Sequence, residues 1–190
     1  MYNLGTNQLE STVQSDRKSG EYVSVLTDGA EYALYVDQDG YLFKSLSFDF
    51  SNRQPDEASN PGGTRSATLD IYLEPIQTGA KEILNNIFFE TAKYELALKS
   101  RTELDKIVSF LTRNPGLKLE ISGHTDDVGG EEDNAALSLK RARALYDYLV
   151  KTDIPPSRIR YQGYGETRPV APNNTEAGRQ LNRRIELKVL

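Results

Sequence analysis

The chain has 190 residues, a net charge of −5 and 37% hydrophobic residues, enough for one or two domains with a buried core. Its acidic balance argues against a nucleic-acid partner, and no apolar run approaches the ~18 residues that would insert directly into a membrane. The absence of cysteine excludes disulfides and thiolate metal sites in this segment, and the single His124 rules out a site built from two histidines.

From the N-terminus, no basic patch and apolar core of a signal peptide is present. Met1 is the only methionine, a pattern that fits a start residue on an internal fragment. Residues 1–78 carry 5 Lys/Arg against 12 Asp/Glu, a net charge of −7, whereas residues 79–190 carry 18 against 16. The acidic half offers short β-like runs at Tyr22-Val23-Ser24-Val25-Leu26, Tyr32-Ala33-Leu34-Tyr35-Val36, Tyr41 to Phe50 and Thr68 to Leu73. Turn signals separate them at Ser19-Gly20, Asp28-Gly29, Asp39-Gly40 and Asn60-Pro61-Gly62-Gly63. This spacing reads as an all-β, sandwich-like domain over 1–78, with the boundary near Pro75 to Gly79.

The second half alternates strand and helix. Ile87-Phe88-Phe89 reads as a short strand. Ser100 and Glu103 form a capping-box pattern ahead of Leu104, Ile107, Val108 and Leu111 at helical spacing, and Asn114-Pro115-Gly116 stops that helix. Leu117, Leu119 and Ile121 alternate with polar residues as a strand with one buried face. A second helix is expected from about Leu137 to Val150, then a strand from Arg158 to Gln162 and a last one through Ile185, Leu187 and Val189. The fold class is therefore α+β, with a two-layer βαβαβ unit over 79–190 whose helices pack on one sheet.

On the second helix, Leu137, Ala144, Leu145 and Tyr148 share one face, and Arg141 lies in the middle of that stripe. A cation there must snorkel or meet an anion. With a start near Leu137 it also sits in the first turns, where the helix dipole favours negative charge. Either an internal carboxylate, Asp126 or Glu120, pairs with it, or an external carboxylate does. Asp126 follows a strand at the mouth of a strand-to-helix loop, and reads either as a turn or cap aspartate or as a ligand contact. Asp126, Asp127, Glu131, Glu132 and Asp133 read as a solvated acidic loop, because the spacing of a calcium loop is not met. No metal and no cofactor is expected. His124 lacks a nucleophile partner, and Ser138 fits a helix N-cap. Of the adjacent Arg183 and Arg184, one is expected to face the acidic loop and the other solvent.

Laid end to end, the stretches GHTDDVGGEEDNAALSLKRARALYDYL and GYGETRPVAPNNTEAGRQLNRRIEL, with IFFETAKYEL upstream, resemble the OmpA-like C-terminal domain family, which binds peptidoglycan. The resemblance covers about residues 80–190. It implies non-enzymatic binding of the diaminopimelate side chain of the stem peptide, anchoring a periplasmic, outer-membrane-associated assembly to the cell wall. In this chain Asp126 would accept from the ligand ammonium and Arg141 would pair with its carboxylate. Asn134 would order the loop or touch the ligand, Thr91, Ala92 and Lys93 would offer backbone N–H groups, and Thr125 and Leu137 would line the site. Ala92 stands where the family often has Asp or Asn, which removes a side-chain contact, and Val128 stands where a polar residue is common. The run GEYVSVLTDGAEYALYVDQDGYLFKSLSFDF resembles the later strands of a carboxypeptidase-regulatory-like domain. Four clear strands and a further candidate at Ser11-Thr12-Val13-Gln14, against about seven for that module, imply that the chain begins inside it. The pairing of the two modules implies a larger envelope or secretion-complex protein, of the kind that serves type IX secretion in Bacteroidetes. The rival readings are a protein-interaction module with a vestigial pocket and a wall hydrolase.

Overall fold

A computed structural model of the chain describes residues 1–51, 68–90 and 93–190. Two four-stranded sheets organise it. The first has the order β2-β1-β3-β4 and is antiparallel throughout, built from β1 (Tyr2–Asn3), β2 (Gln8–Leu9), β3 (Glu31–Val36) and β4 (Lys44–Asp49). In β3 and β4, Tyr35 stands opposite Ser45 and Ala33 opposite Ser47.

The second sheet has the order β5-β8-β6-β7, from β5 (Lys81–Leu84), β6 (Leu119–Gly123), β7 (Ile159–Gly163) and β8 (Ile185–Val189). β6 and β7 run parallel through a helical crossover, while β8 pairs antiparallel with both β5 and β6. The connecting helices are α1 (Arg101–Arg113), α2 (Glu131–Lys151) and the short α3 (Glu176–Asn182). Leu104, Ile107, Phe110 and Leu111 of α1 and Ala142, Leu145 and Leu149 of α2 form one core with Leu84, Leu119, Ile121, Ile159, Ile185, Leu187 and Val189 of the sheet. The α+β class and the helices-on-one-sheet arrangement are those expected, with a β-rich N-terminal region. Leu42 and Phe43 of that region join the same core, and the Phe43 ring meets Phe110 edge-on at 5.3 Å.

Several local expectations are corrected. Residues 22–26 and 68–73 belong to no strand, and beyond the second of them Pro75 makes an isolated antiparallel bridge with Tyr41. The Asn60–Gly63 turn lies outside the described residues. Ile87-Phe88-Phe89 is not a strand. The first strand of the unit is β5, whose apolar pattern is interrupted by the buried Glu82. Ile87 and Phe89 are apolar because they pack on the core from a loop. Ser100 occupies the N-cap of α1, but its hydroxyl accepts the Phe88 N–H at 2.9 Å, and Glu103 turns inward to Ser45 rather than back to Ser100. α2 begins at Glu131, well before Leu137, because Glu131, Glu132 and Asp133 are its first turn, where negative side chains complement the free N–H groups. Glu131, Glu132 and Asp133 of the acidic run are thus helix while Asp126 and Asp127 stay in the loop, and Ser138 lies inside the helix. α3 was not anticipated, since Gly178 in a seven-residue helix weakens its pattern.

Candidate functional site

The site is assembled where β6 and β7 end beneath the N-terminal half of α2. Glycines make this possible. A Cβ at Gly123 would lie 2.2 Å from the Ser138 carbonyl oxygen, and one at Gly163 would lie 2.4 Å from the Leu139 nitrogen. Hydrogen there lets the helix backbone rest directly on the strand ends. The Ser138 hydroxyl then accepts the Gly165 N–H at 2.9 Å and donates to the Ala135 carbonyl. Ser138 is a tie between helix and loop rather than an N-cap.

Asp126 leaves β6 by the loop His124-Thr125-Asp126. The His124 N–H donates to the Arg184 carbonyl and the Thr125 N–H to the Gly165 carbonyl, both at 3.0 Å, which fixes the loop against its neighbours. One Asp126 carboxylate oxygen accepts the Val128 N–H at 3.3 Å, an Asx-turn contact. The other receives Nη1 of Arg183 at 2.5 Å. Asn134 Nδ2 donates to the Asp126 carbonyl at 3.3 Å and to Glu166 Oε2 at 2.6 Å, so its observed work is to order the loop.

Arg141 is buried on α2, in its third turn, so the helix-dipole part of the sequence argument does not apply. Its Nε donates to the Lys93 carbonyl at 3.0 Å, and its guanidinium carbon sits 5.0 Å from the Phe89 ring centre. Its two terminal nitrogens carry no hydrogen bond among the described residues. Burial lowers its pKa, the nearby Arg183 lowers it further, and Asp126 works the other way. The expected internal partners are engaged elsewhere, Asp126 with Arg183 and Glu120 with Tyr164. Opposite charges therefore face one region without being joined to each other.

The remaining predicted site residues fall as follows. Thr125 is buried, its hydroxyl without a partner, and Leu137 is half-buried one turn before Arg141. The Lys93 N–H is taken by the Glu90 carbonyl, so Lys93 offers Arg141 an acceptor instead of offering a ligand a donor. Thr91 and Ala92 lie outside the described residues. Sequence reasoning left Arg183 out of the site. It did place one of the two arginines toward the acidic loop, and that one is Arg183. Arg184 does not reach solvent; it is buried against Glu186 at 2.6 Å.

The family model described as the OmpA family matches residues 88–183. The chain belongs to the OmpA family. The family match covers β6 to α3, hence Asp126, Asn134, Arg141 and Arg183. Outer membrane porin F of Pseudomonas fluorescens is 40% identical over 104 residues, which are 55% of this chain and 32% of that protein, so the match spans about a third of the relative's length. Among solved structures, the peptidoglycan-associated lipoprotein from Burkholderia pseudomallei superposes with a TM-score of 0.51 at 28% identity, over 55% of this chain and 88% of that one. The cell wall anchor of the T6SS from Pseudomonas aeruginosa does so with a TM-score of 0.50 at 27% identity, over 58% and 78%.

Proposed function

We propose that this OmpA-family domain holds the peptidoglycan stem peptide without covalent chemistry, through the zwitterionic end of a diaminopimelate side chain, and so anchors a periplasmic, outer-membrane-associated assembly to the wall. The observation that carries this reading is the separate fixing of Asp126 and Arg141. One is held by Arg183 and a backbone N–H, the other by the Lys93 carbonyl, and neither neutralises the other. A guest carboxylate would supply the anion that Arg141 lacks, in a charge-assisted and planar pairing. A guest ammonium would share Asp126 with Arg183. Likeness to a peptidoglycan-associated lipoprotein and to a cell wall anchor supports the same reading. The 1–78 region then acts as a carboxypeptidase-regulatory-like spacer or docking module of a larger envelope complex, with type IX secretion as its setting. Affinity is modest for so small a ligand, and many copies compensate.

Asp126→Ala and Arg141→Ala are each expected to abolish retention on purified sacculi while circular dichroism stays unchanged; retention by both variants overturns the proposal. Calorimetry with a diaminopimelate peptide against its lysine analogue tests the ligand itself. Lysine lacks the second carboxylate, so its affinity should fall about ten- to a hundredfold, the worth of one charge-assisted contact. Equal binding or none would favour a protein-interaction module, and release of soluble wall fragments would favour a hydrolase.

A further inference from the structure

The N-terminal sheet meets α1 across a seam with a buried acid at its centre. Glu103 of α1 is fully buried. Its Oε2 receives the Ser45 hydroxyl of β4 at 2.7 Å and Asn86 Nδ2 at 3.1 Å. Its Oε1, Asn86 Oδ1 and the Tyr35 hydroxyl of β3 are all buried without a completed hydrogen bond. The Tyr35 O–H can serve one of the two acceptor oxygens, Glu103 Oε1 or Asn86 Oδ1, which leaves this dry cluster one donor short. No cation makes an ion pair with Glu103 among the described residues. Lys44 of β4 is bound to Glu82 of β5 at 3.1 Å, and Glu82 also accepts the Ser45 N–H, so the nearest formal charge acts as a repulsion. Lys106 of α1 lies over the Tyr2 and Tyr35 rings at 5.0 and 5.7 Å, Lys99 pairs with Glu31 at 3.2 Å, and Arg113 with Asp37 at 2.7 Å.

We propose that this seam is a proton-operated latch: the N-terminal sheet closes on α1 when Glu103 is protonated and loosens when Glu103 ionises. A protonated carboxyl supplies the missing donor for the orphaned oxygens, whereas a carboxylate leaves an unpaired charge in the interior. Burial pushes the Glu103 pKa up to about 7, against the opposing pull of Ser45, Tyr35 and Asn86. Glu82 is raised as well, by burial against Lys44. Surface clefts of about 450 and 230 Å³ open between the N-terminal sheet and α1 beside the seam, lined by Asp37, Phe110 and Arg113 and by Tyr35, Phe43 and Lys106. An open seam returns Glu103 to an ordinary value near 4.5, so closure is strongest below that pH and fades as pH rises through about 7. Each pH unit between them weakens closure by up to about tenfold. This inference does not depend on the wall-binding reading.

The chain has no cysteine, so nitroxides at Ser47→Cys and Ser109→Cys in the full chain report the seam alone. A single narrow distance is expected at pH 5.5 and a growing longer-distance population by pH 8.5, while Glu103→Gln stays narrow at both. Ser45→Ala removes a donor that favours the ionised form, so closure should go on weakening above pH 7 and the open population at pH 8.5 should exceed the parent's. An unchanged distance in the parent chain, opening of Glu103→Gln in step with it, or an open population in Ser45→Ala no larger than the parent's at pH 8.5 overturns the latch.

Discussion

Gly163 and His124 show how much of the site rests on single side chains. Any Cβ at Gly163 collides with the Leu139 backbone, which a rotamer change cannot relieve. Gly163→Ala should therefore lift α2 from β7, cost about 1–3 kcal/mol in denaturant unfolding, and weaken sacculus binding by displacing Arg141. His124 is buried with neither ring nitrogen hydrogen-bonded, its Nε2 3.8 Å from Glu186 Oε1, and its ring stacks on Tyr164 at 5.5 Å between centres. Burial, and then Arg184, push its imidazole pKa down to about 4 against the opposing pull of Glu186. His124→Phe keeps the stack and removes two unpaired polar atoms, so it should be neutral or stabilising by about 1 kcal/mol at pH 7. Arg141 on a buried helix face and Asp126 at a strand exit were legible from the wheel and the loop as candidates. Arg183 was not a site residue from sequence, because adjacent arginines carry no mark of which one turns toward Asp126.

At the scale of elements, α3 and the loop before it owe their shape to Asn182. This fully buried side chain accepts the Val170 and Ala171 N–H groups at 2.8 and 3.1 Å, and donates to the Ala171 carbonyl and Asn173 Oδ1. Asn182→Ala leaves those N–H groups unpaired, and should cost about 2–4 kcal/mol. Hydrogen exchange at residues 170–173 should rise first, with Arg183 losing its grip on Asp126 next. The strands and helices with strong periods were readable, as α1 and β6 were within two residues. Ile87-Phe88-Phe89 misled because an apolar loop pressed on a core has the composition of a strand. The capping pattern Ser100–Glu103 misled because Ser45, more than fifty residues away, offered Glu103 a better partner.

At the scale of the whole molecule, two buried groups set opposing pH limbs. His124 has a depressed folded pKa, so its contribution is full above about 6.5 and is lost as pH falls towards 4. Glu103 has a raised one, so its contribution is full below about 4.5 and is lost as pH rises through 7. Between about 4.5 and 6.5 the two slopes oppose each other. Chemical denaturation of His124→Phe across pH 4–8 should show stability falling as pH rises, and Glu103→Gln should show it falling as pH drops.

Local pattern alone determined the α+β class, the places of α1, β6, the body of α2, β7 and β8, and the two opposite charges flanking a loop, because hydrophobic period and turn chemistry act over a few residues. What holds each charge was decided only by the tertiary structure. Asp126 meets Arg183 from 57 positions away and Glu103 meets Ser45 from 58. Such pairings depend on which surfaces burial brings together, and a buried polar atom takes whichever partner the fold delivers.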